Sequence, residues 1–302
     1  MFSISTSWNY KSDISMREML QQIKSVGLDT IELGYRLTST QLSEVIPLLE
    51  ELKIKVSSVH NFCPVPDAPS PRHPSNHYRL SAVDESERQK AVEWTKKAID
   101  TACQVACSVV VIHAGTIEFQ DDPTELLRSY KSGNTFPSDF IKIRDKILKD
   151  RESHKSSYIN AVTRSLDEII VYAREKKIKI GLETRYYPTE IPNFNEIAYF
   201  LQRYDASVMG YWHDVGHAEV NVRLGIVENH KNYFDSFSTR LIGVHLHGVQ
   251  GLKDHQAPFT GDFDLMSFFA YFKPPHIIKV IESHASARVE DIREGIRRFR
   301  QG

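Results

Sequence analysis

The feature that most constrains this chain is an alternation that runs from one end to the other. Short apolar segments rich in β-branched residues alternate with longer segments whose apolar residues recur at helical spacing. The short segments are 2–6, 30–33, 55–60, 108–113, 178–183, 208–212, 241–245 and 277–282, and each reads as a strand. The first helix is expected from about Asp13, a natural N-cap, to a stop at Gly27. The second, over 40–52, holds Pro47, which is expected to shift its start or kink it. Further helices are expected over 85–107, from Tyr158 onward, over 194–201, over 218–237 as one or two pieces, over 264–272, and in a closing segment bearing Val289, Ile292, Ile296 and Phe299. Eight strand–helix units in 302 residues, with no break in composition and no linker, predict one α/β domain over 1–302, a single (β/α)8 TIM barrel. An open doubly wound sheet would carry a Gly-rich turn after its first strand, and Thr6-Ser7-Trp8-Asn9 is not one.

Two stretches interrupt the alternation. Residues 63–84 carry Pro64, Pro66, Pro69, Pro71 and Pro74, which forbid a regular element; the length suits a lid or binding loop. Residues 117–157 hold eight Lys/Arg against eight Asp/Glu and form the least regular region. It is expected as a polar insertion or solvated helix, or as a second lid near the C-terminal mouth of the barrel. A net charge of −1 exerts no long-range pull on nucleic acid. Three cysteines, Cys63, Cys103 and Cys107, lack the spacing of a disulfide framework and suit a reducing compartment. Cys103 and Cys107, four apart, are expected as small core residues. Neither a signal peptide nor a membrane span is read, so the expected location is cytoplasmic.

In such a barrel, chemistry sits at the C-terminal strand ends. Strand three ends in His60, strand four in His113, strand five in Glu183 and strand six at Asp214 and His217. Strand seven ends at His245 and His247, with Asp254 and His255 soon after, and strand eight in Glu282 before His284. The amino ends of the same strands carry no such set. Carboxylates and imidazoles converging on one axis repel unless a cation lies among them. Mixed oxygen and nitrogen donors suit Mn, Zn, Co, Mg or Fe, and the lack of thiolates argues against a structural zinc. Glu183, Asp214, His245 and Glu282 form the strongest set, since a carboxylate that ends an apolar strand needs a partner. His60, His247 and His284 taken singly are ordinary hydrogen-bonded residues. His213 fits no pattern and is left out.

The segments Val59-His60, Ile112-His113-Ala114-Gly115, Gly181-Leu182-Glu183-Thr184-Arg185, Asp214-Val215-Gly216-His217, Val244-His245-Leu246-His247 and Val280-Ile281-Glu282 occur in this order across nearly the whole chain. In them the sequence resembles the xylose-isomerase-like TIM barrel superfamily. That group includes sugar isomerases and epimerases, inosose dehydratases and endonuclease-IV-type AP endonucleases. The resemblance implies one metal held by Glu183, Asp214, His245 and Glu282. It also implies Glu183 and Glu282 as catalytic proton carriers beside a carbonyl, and His217 on substrate oxygens. The endonuclease pattern would add His60, His113 and His217 as ligands of two or three Zn. It departs at Asp254-His255, where that pattern has a residue between. Gly248 departs too, where many relatives carry a carboxylate.

The leading expectation is therefore a metal-dependent sugar or polyol isomerase or epimerase using one divalent ion. The alternative is a metal-dependent hydrolase of a phosphodiester or amide, and the third reading is a non-catalytic barrel with a degraded site. His60, His113, His217, His247, His255 and Arg185 are candidates for further metal or substrate contacts. The expected partner is a small molecule, larger than a monosaccharide if the two long loops widen the mouth. The Pro-rich loop offers only Arg72 and Arg79 as firm cations, which counts against DNA. Family barrels also raise the expectation of a homo-oligomer.

Overall fold

The computed structural model describes residues 2–119, 122–131 and 137–301. Eight parallel strands close into a barrel in chain order: β1 (Phe2–Ser5), β2 (Thr30–Leu33), β3 (Lys55–His60), β4 (Val109–Ile112), β5 (Lys179–Glu183), β6 (Met209–Asp214), β7 (Leu241–Leu246) and β8 (Ile278–Ile281). The last pairs with the first, Ser3 lying opposite Val280. Around them run α1 (Met16–Ser25), α2 (Ser39–Glu51), α3 (Glu85–Gln104), α4 (Thr124–Lys131), α5 (Pro137–Glu175), α6 (Phe194–Arg203), α7 (Val215–Arg223), α8 (Lys231–Phe237), the short α9 (Phe269–Phe272) and α10 (Val289–Gln301). This is the (β/α)8 barrel that the alternation predicts.

Successive strand residues face opposite sides of the sheet. Residues such as Ile4, Ile31, Val110, Ile180, Met209, Val244 and Ile281 face outward and join the helices in one core. The inward phase is different. Val109, Val111, Trp212 and Val280 form a separate buried cluster that fills the barrel. Trp212 is its largest member and plugs the interior beneath the mouth. Room for it comes from β7: a Cβ on Gly243 would lie 2.1 Å from the indole Cζ3. The interior is thus packed rather than open, and the next inward residues along each strand are displayed at the mouth.

Local signals set the helix ends, with some corrections. Ser15, not Asp13, caps α1, its hydroxyl accepting the Glu18 amide; Gly27, at φ +89°, follows the helix as the expected stop. Thr38 and Gln41 form a reciprocal capping box on α2, and the helix runs through Pro47 with its start where the cap places it. The stretch 218–237 divides into α7 and α8. The largest correction concerns 117–157. The helix expected from Tyr158 begins at Pro137, giving α5 a span of 39 residues. Its polar first half is held by a satellite core in which Ile147 meets Leu126 and Leu127 of α4, Val220 and Leu224 next to them, and Leu252. Cys107 is buried beyond the end of α3 while Cys103 is exposed, so they do not form a core pair. Among the described residues no helix is long and apolar enough to cross a membrane.

Two small antiparallel pairs shape the mouth. Gly115–Thr116 pairs with Glu190–Ile191, and Gly248–Gln250 pairs with Lys253–Gln256. The first fixes the loop after β5. The second carries Asp254 and His255 back over the barrel.

Candidate active site

The C-terminal ends of the strands open into a cavity of about 500 Å3. His60, His113, Glu183, Arg185, His217 and Glu282 line it, with Tyr35, Tyr186 and Tyr187 at its sides. Both long interruptions reach it: His73, Ser75 and Asn76 come from the Pro-rich loop, and Lys131 from the end of α4.

Glu183, Asp214, His245 and Glu282 each place one donor atom within 4.8 Å of all the others. All four side chains are buried. Asp214 ends β6 and caps α7 at once, its Oδ1 accepting the His217 amide at 2.7 Å. The Nδ1 of His245 lies 2.9 Å from Glu282 Oε2, 3.3 Å from Glu183 Oε1 and 3.6 Å from Asp214 Oδ2. Its Nε2 is 3.2 Å from Glu32 Oε1. Glu32 is fully buried in β2 and also accepts the Ser58 hydroxyl at 2.7 Å. A carboxylate can only accept here, so Glu32 places a proton on Nε2 and turns the Nδ1 lone pair toward the three other carboxylates.

Three carboxylates cannot face one lone pair without a positive charge between them. A proton on Nδ1 answers that need in the free protein. Burial opposes the charged form of His245, yet Glu282 and Glu32 outweigh it and hold its pKa well above the usual imidazole value. Burial would likewise raise Glu183 and Asp214, and the surrounding imidazoles reverse this, leaving both well below the usual carboxylate range. Three carboxylate oxygens and one imidazole nitrogen, with no thiolate, are a donor set that fits a hard or borderline divalent ion. Glu183 Oε2 is buried with no well-directed hydrogen bond, which also fits an oxygen placed to hold a cation.

The other expected residues sort by which ring nitrogen is already committed. His247 accepts the His255 amide at Nδ1 (2.9 Å), so its Nε2 carries the proton and donates to Asp214 at 3.1 Å. It has no lone pair left for a ligand role, and it orients Asp214 instead. His217 donates Nδ1–H to the Thr184 carbonyl at 2.8 Å, and His255 donates to the Glu282 carbonyl at 2.9 Å. Their Nε2 atoms face Asp254 Oδ2 at 3.5 and 3.6 Å. Burial opposes a charge on His255, but Asp254 and Glu282 prevail and lift it to about 9.

His60 donates Nδ1–H to the Asn61 carbonyl at 3.0 Å, which leaves its Nε2 3.3 Å from Glu183 Oε2. The Nε2 of His113 lies 2.8 Å from the same oxygen. Arg185 reaches the same spot, its guanidinium 2.5 Å from His113 Nε2, and is anchored on its far side by Glu190 at 2.7 Å. Burial and the Arg185 charge hold His113 down to about 3. His284 lines the cavity beside His255, with ring centroids 4.6 Å apart. His213 points outward, away from the mouth, between Tyr211 Oη (2.7 Å) and His230 Nε2 (2.9 Å).

Glu32, Asn76 and Glu190 were not singled out from sequence. Only Glu32 carried a usable signal, a charge inside the apolar run Thr30-Ile31-Glu32-Leu33.

A closed parallel barrel whose buried carboxylates and imidazoles converge at the C-terminal mouth has the groups to hold a cation or to move a proton there. The chain belongs to the xylose isomerase-like TIM barrel family, whose model matches residues 20–302. Solved structures share the fold along the whole chain. A 3-keto-D-glucoside 4-epimerase from E. coli is 13% identical, with 100% of this chain and 99% of that chain covered and a TM-score of 0.68. A D-allulose 3-epimerase from Methylomonas sp., in complex with D-allulose, is 16% identical, with 99% and 96% covered and a TM-score of 0.67. An AP endonuclease, family 2, from Brucella melitensis is 11% identical, with 99% and 98% covered and a TM-score of 0.67. A search of curated protein sequences finds no match.

Proposed function

We propose that this chain is a divalent-metal-dependent isomerase or epimerase of a sugar or sugar-like polyol. The observation that carries the reading is the orientation of His245, whose Nδ1 faces Glu183, Asp214 and Glu282 while Glu32 occupies Nε2. Those four residues would hold one ion of the Mn, Zn, Co, Mg or Fe class. When bound, such an ion supplies Lewis-acid polarisation of a substrate carbonyl and offsets the charge that builds on its oxygen. The chain's own groups do the rest. Glu183 and Glu282 both line the cavity and would exchange a proton at the carbon beside that carbonyl, one as base and the other as acid. His217 would hold substrate oxygens and fix the face presented. Trp212 and the packed interior beneath it keep the floor of the site closed to water.

The cavity lies within the range of small-molecule pockets, about 300–1,000 Å3. With Tyr186 and Tyr187 as flanking walls, it would accept a substrate larger than a monosaccharide. The epimerases that share the fold act, by their names, on D-allulose and a 3-keto-D-glucoside, which supports this substrate class. The test is proton exchange. Mn-loaded protein is incubated in D2O with D-fructose, D-allulose, D-tagatose and a 3-keto-glucoside, and deuterium at the carbon next to the carbonyl is followed by NMR. Incorporation that Glu183→Gln abolishes supports the reading. Survival of exchange in that variant overturns the assignment of Glu183.

One observation favours the hydrolase alternative. Asp214, His217 and His255 form a further donor group that shares Asp214 with the first, with both imidazoles pinned through Nδ1 and Asp254 Oδ2 facing their Nε2 atoms at 3.5 and 3.6 Å. Metal-dependent cleavage of bis(p-nitrophenyl) phosphate, without any deuterium exchange, would decide for it.

A further inference from the structure

His60 Nε2, His113 Nε2 and Glu183 Oε2 lie within 4.8 Å of one another and form a second donor group next to the four-residue set. Both rings are committed through Nδ1: His60 to the Asn61 carbonyl, His113 to Asn76 Oδ1 at 3.3 Å. All three donors therefore converge on one point, and Glu183 Oε2 is buried without a well-directed hydrogen bond. By donor type alone this is a place for a second metal ion.

The cation at that place, however, belongs to the chain. Arg185 puts one guanidinium nitrogen 2.5 Å from His113 Nε2 and 3.4 Å from Glu183 Oε2. Its other nitrogen is 2.7 Å from Glu190 Oε1, and the second oxygen of Glu190 accepts the Tyr187 amide at 2.9 Å. Glu190 sits on the short strand pair with Gly115–Thr116, so the anchor is rigid. An imidazole nitrogen has one lone pair, which cannot serve a guanidinium proton and a metal ion together. Guanidinium also stays charged at any working pH, unlike an ammonium or an imidazolium.

We propose that Arg185 is a tethered second cation, which fills the His60–His113–Glu183 group and keeps the centre to a single metal ion. The proposal rests on the one-ion reading above for the neighbouring set, but its own readout is a difference. It predicts that removing the arginine opens a second metal site that depends on His113. It also gives the buried Arg185–Glu190 pair a purpose beyond packing, since the pair holds a fixed positive charge beside the carboxylate that would carry protons.

The test is Co2+ titration by calorimetry, with bound cobalt counted by elemental analysis and its visible absorption recorded. The proteins are the wild type, Arg185→Met, the double variant R185M/E190Q and the triple variant R185M/E190Q/H113A. The double variant removes both charges and so avoids a buried, unpaired Glu190. The expected result is one equivalent for wild type, two for the first two variants and one again for the triple variant. A gain of one His113-dependent equivalent over wild type supports the proposal even if wild type binds none, in which case only the one-ion reading fails. The proposal is overturned if wild type, with Arg185 intact, already binds as many equivalents as R185M/E190Q and the triple variant binds one fewer. It is also overturned if R185M/E190Q, folded by circular dichroism, binds no more cobalt than wild type.

Discussion

Glu32 has no access to the cavity, yet it should control metal affinity. It touches the proposed centre only through His245, with its oxygens 3.2 and 3.3 Å from Nε2, and it receives the Ser58 hydroxyl at 2.7 Å. Glu32→Leu keeps apolar volume but removes the acceptor that places the proton on Nε2. His245 could then adopt the other tautomer, with Nδ1–H facing three carboxylates and no lone pair for an ion. Loss of such a supporting carboxylate typically weakens metal binding about 10- to 100-fold. That corresponds to about 1.4–2.8 kcal/mol. Glu32→Gln keeps an oxygen acceptor and loses only the charge, so its effect should fall at or below about 10-fold. Ser58→Ala, which frees one Glu32 oxygen without touching His245, should be milder still. Mn2+ calorimetry on the three variants reads the series directly, and imidazole 15N shifts in the Zn2+-loaded protein report which His245 nitrogen keeps its proton. If Glu32→Leu binds Mn2+ as tightly as wild type, the tautomer argument is wrong and His245 is oriented by something else.

Other consequences follow from the same geometry. Gly243→Ala drives a methyl into Trp212 and should cost about 1–3 kcal/mol by overpacking, seen as a lowered midpoint in urea. Metal binding at neutral pH should release about one proton, because the raised His245 must give up Nδ1–H; calorimetry in buffers of different ionisation enthalpy measures it. In the metal-free protein His245 contributes stability in full below the unfolded imidazole value, about 6.5, and loses it as pH rises through the raised folded value. Glu183 and Asp214 act in the opposite sense. Their contribution is present above the unfolded carboxylate values, about 4, and is lost as pH falls through the depressed folded ones. Stability of the metal-free protein should therefore fall at both ends of the pH range, and urea midpoints against pH test the sign of each arm.

The strand ends were legible because each places a polar residue after an apolar run, and a barrel turns that one-dimensional mark into convergence on an axis. The endings at His60, Glu183, Asp214, His245 and Glu282 could be read without knowing which residues touch. Glu32 escaped because it is followed by Leu33 rather than ending its strand. Its role emerges only when alternation along β2 is joined to closure of the sheet. Helix α5 escaped for a different reason. Its first half is charged on most sides, and the stripe that holds it, with Ile147 against Leu126, Val220 and Leu252, is satisfied by residues far away in sequence. Arg185 was visible beside Glu183, but its approach to His113, 72 residues away, belongs to the packing of loops over the mouth. His247 was a candidate in sequence for a further metal or substrate contact, and only the hydrogen bond at its Nδ1 rules out a ligand role.

The central claim is that Glu183, Asp214, His245 and Glu282 hold one divalent ion. The most direct measurement is an anomalous-difference map from a crystal of wild-type protein soaked in Mn2+. The account predicts a single strong peak within about 2.0–2.3 Å of His245 Nδ1 and the three carboxylates. A peak shared by His60 and His113, or several peaks with this set left empty, would contradict it.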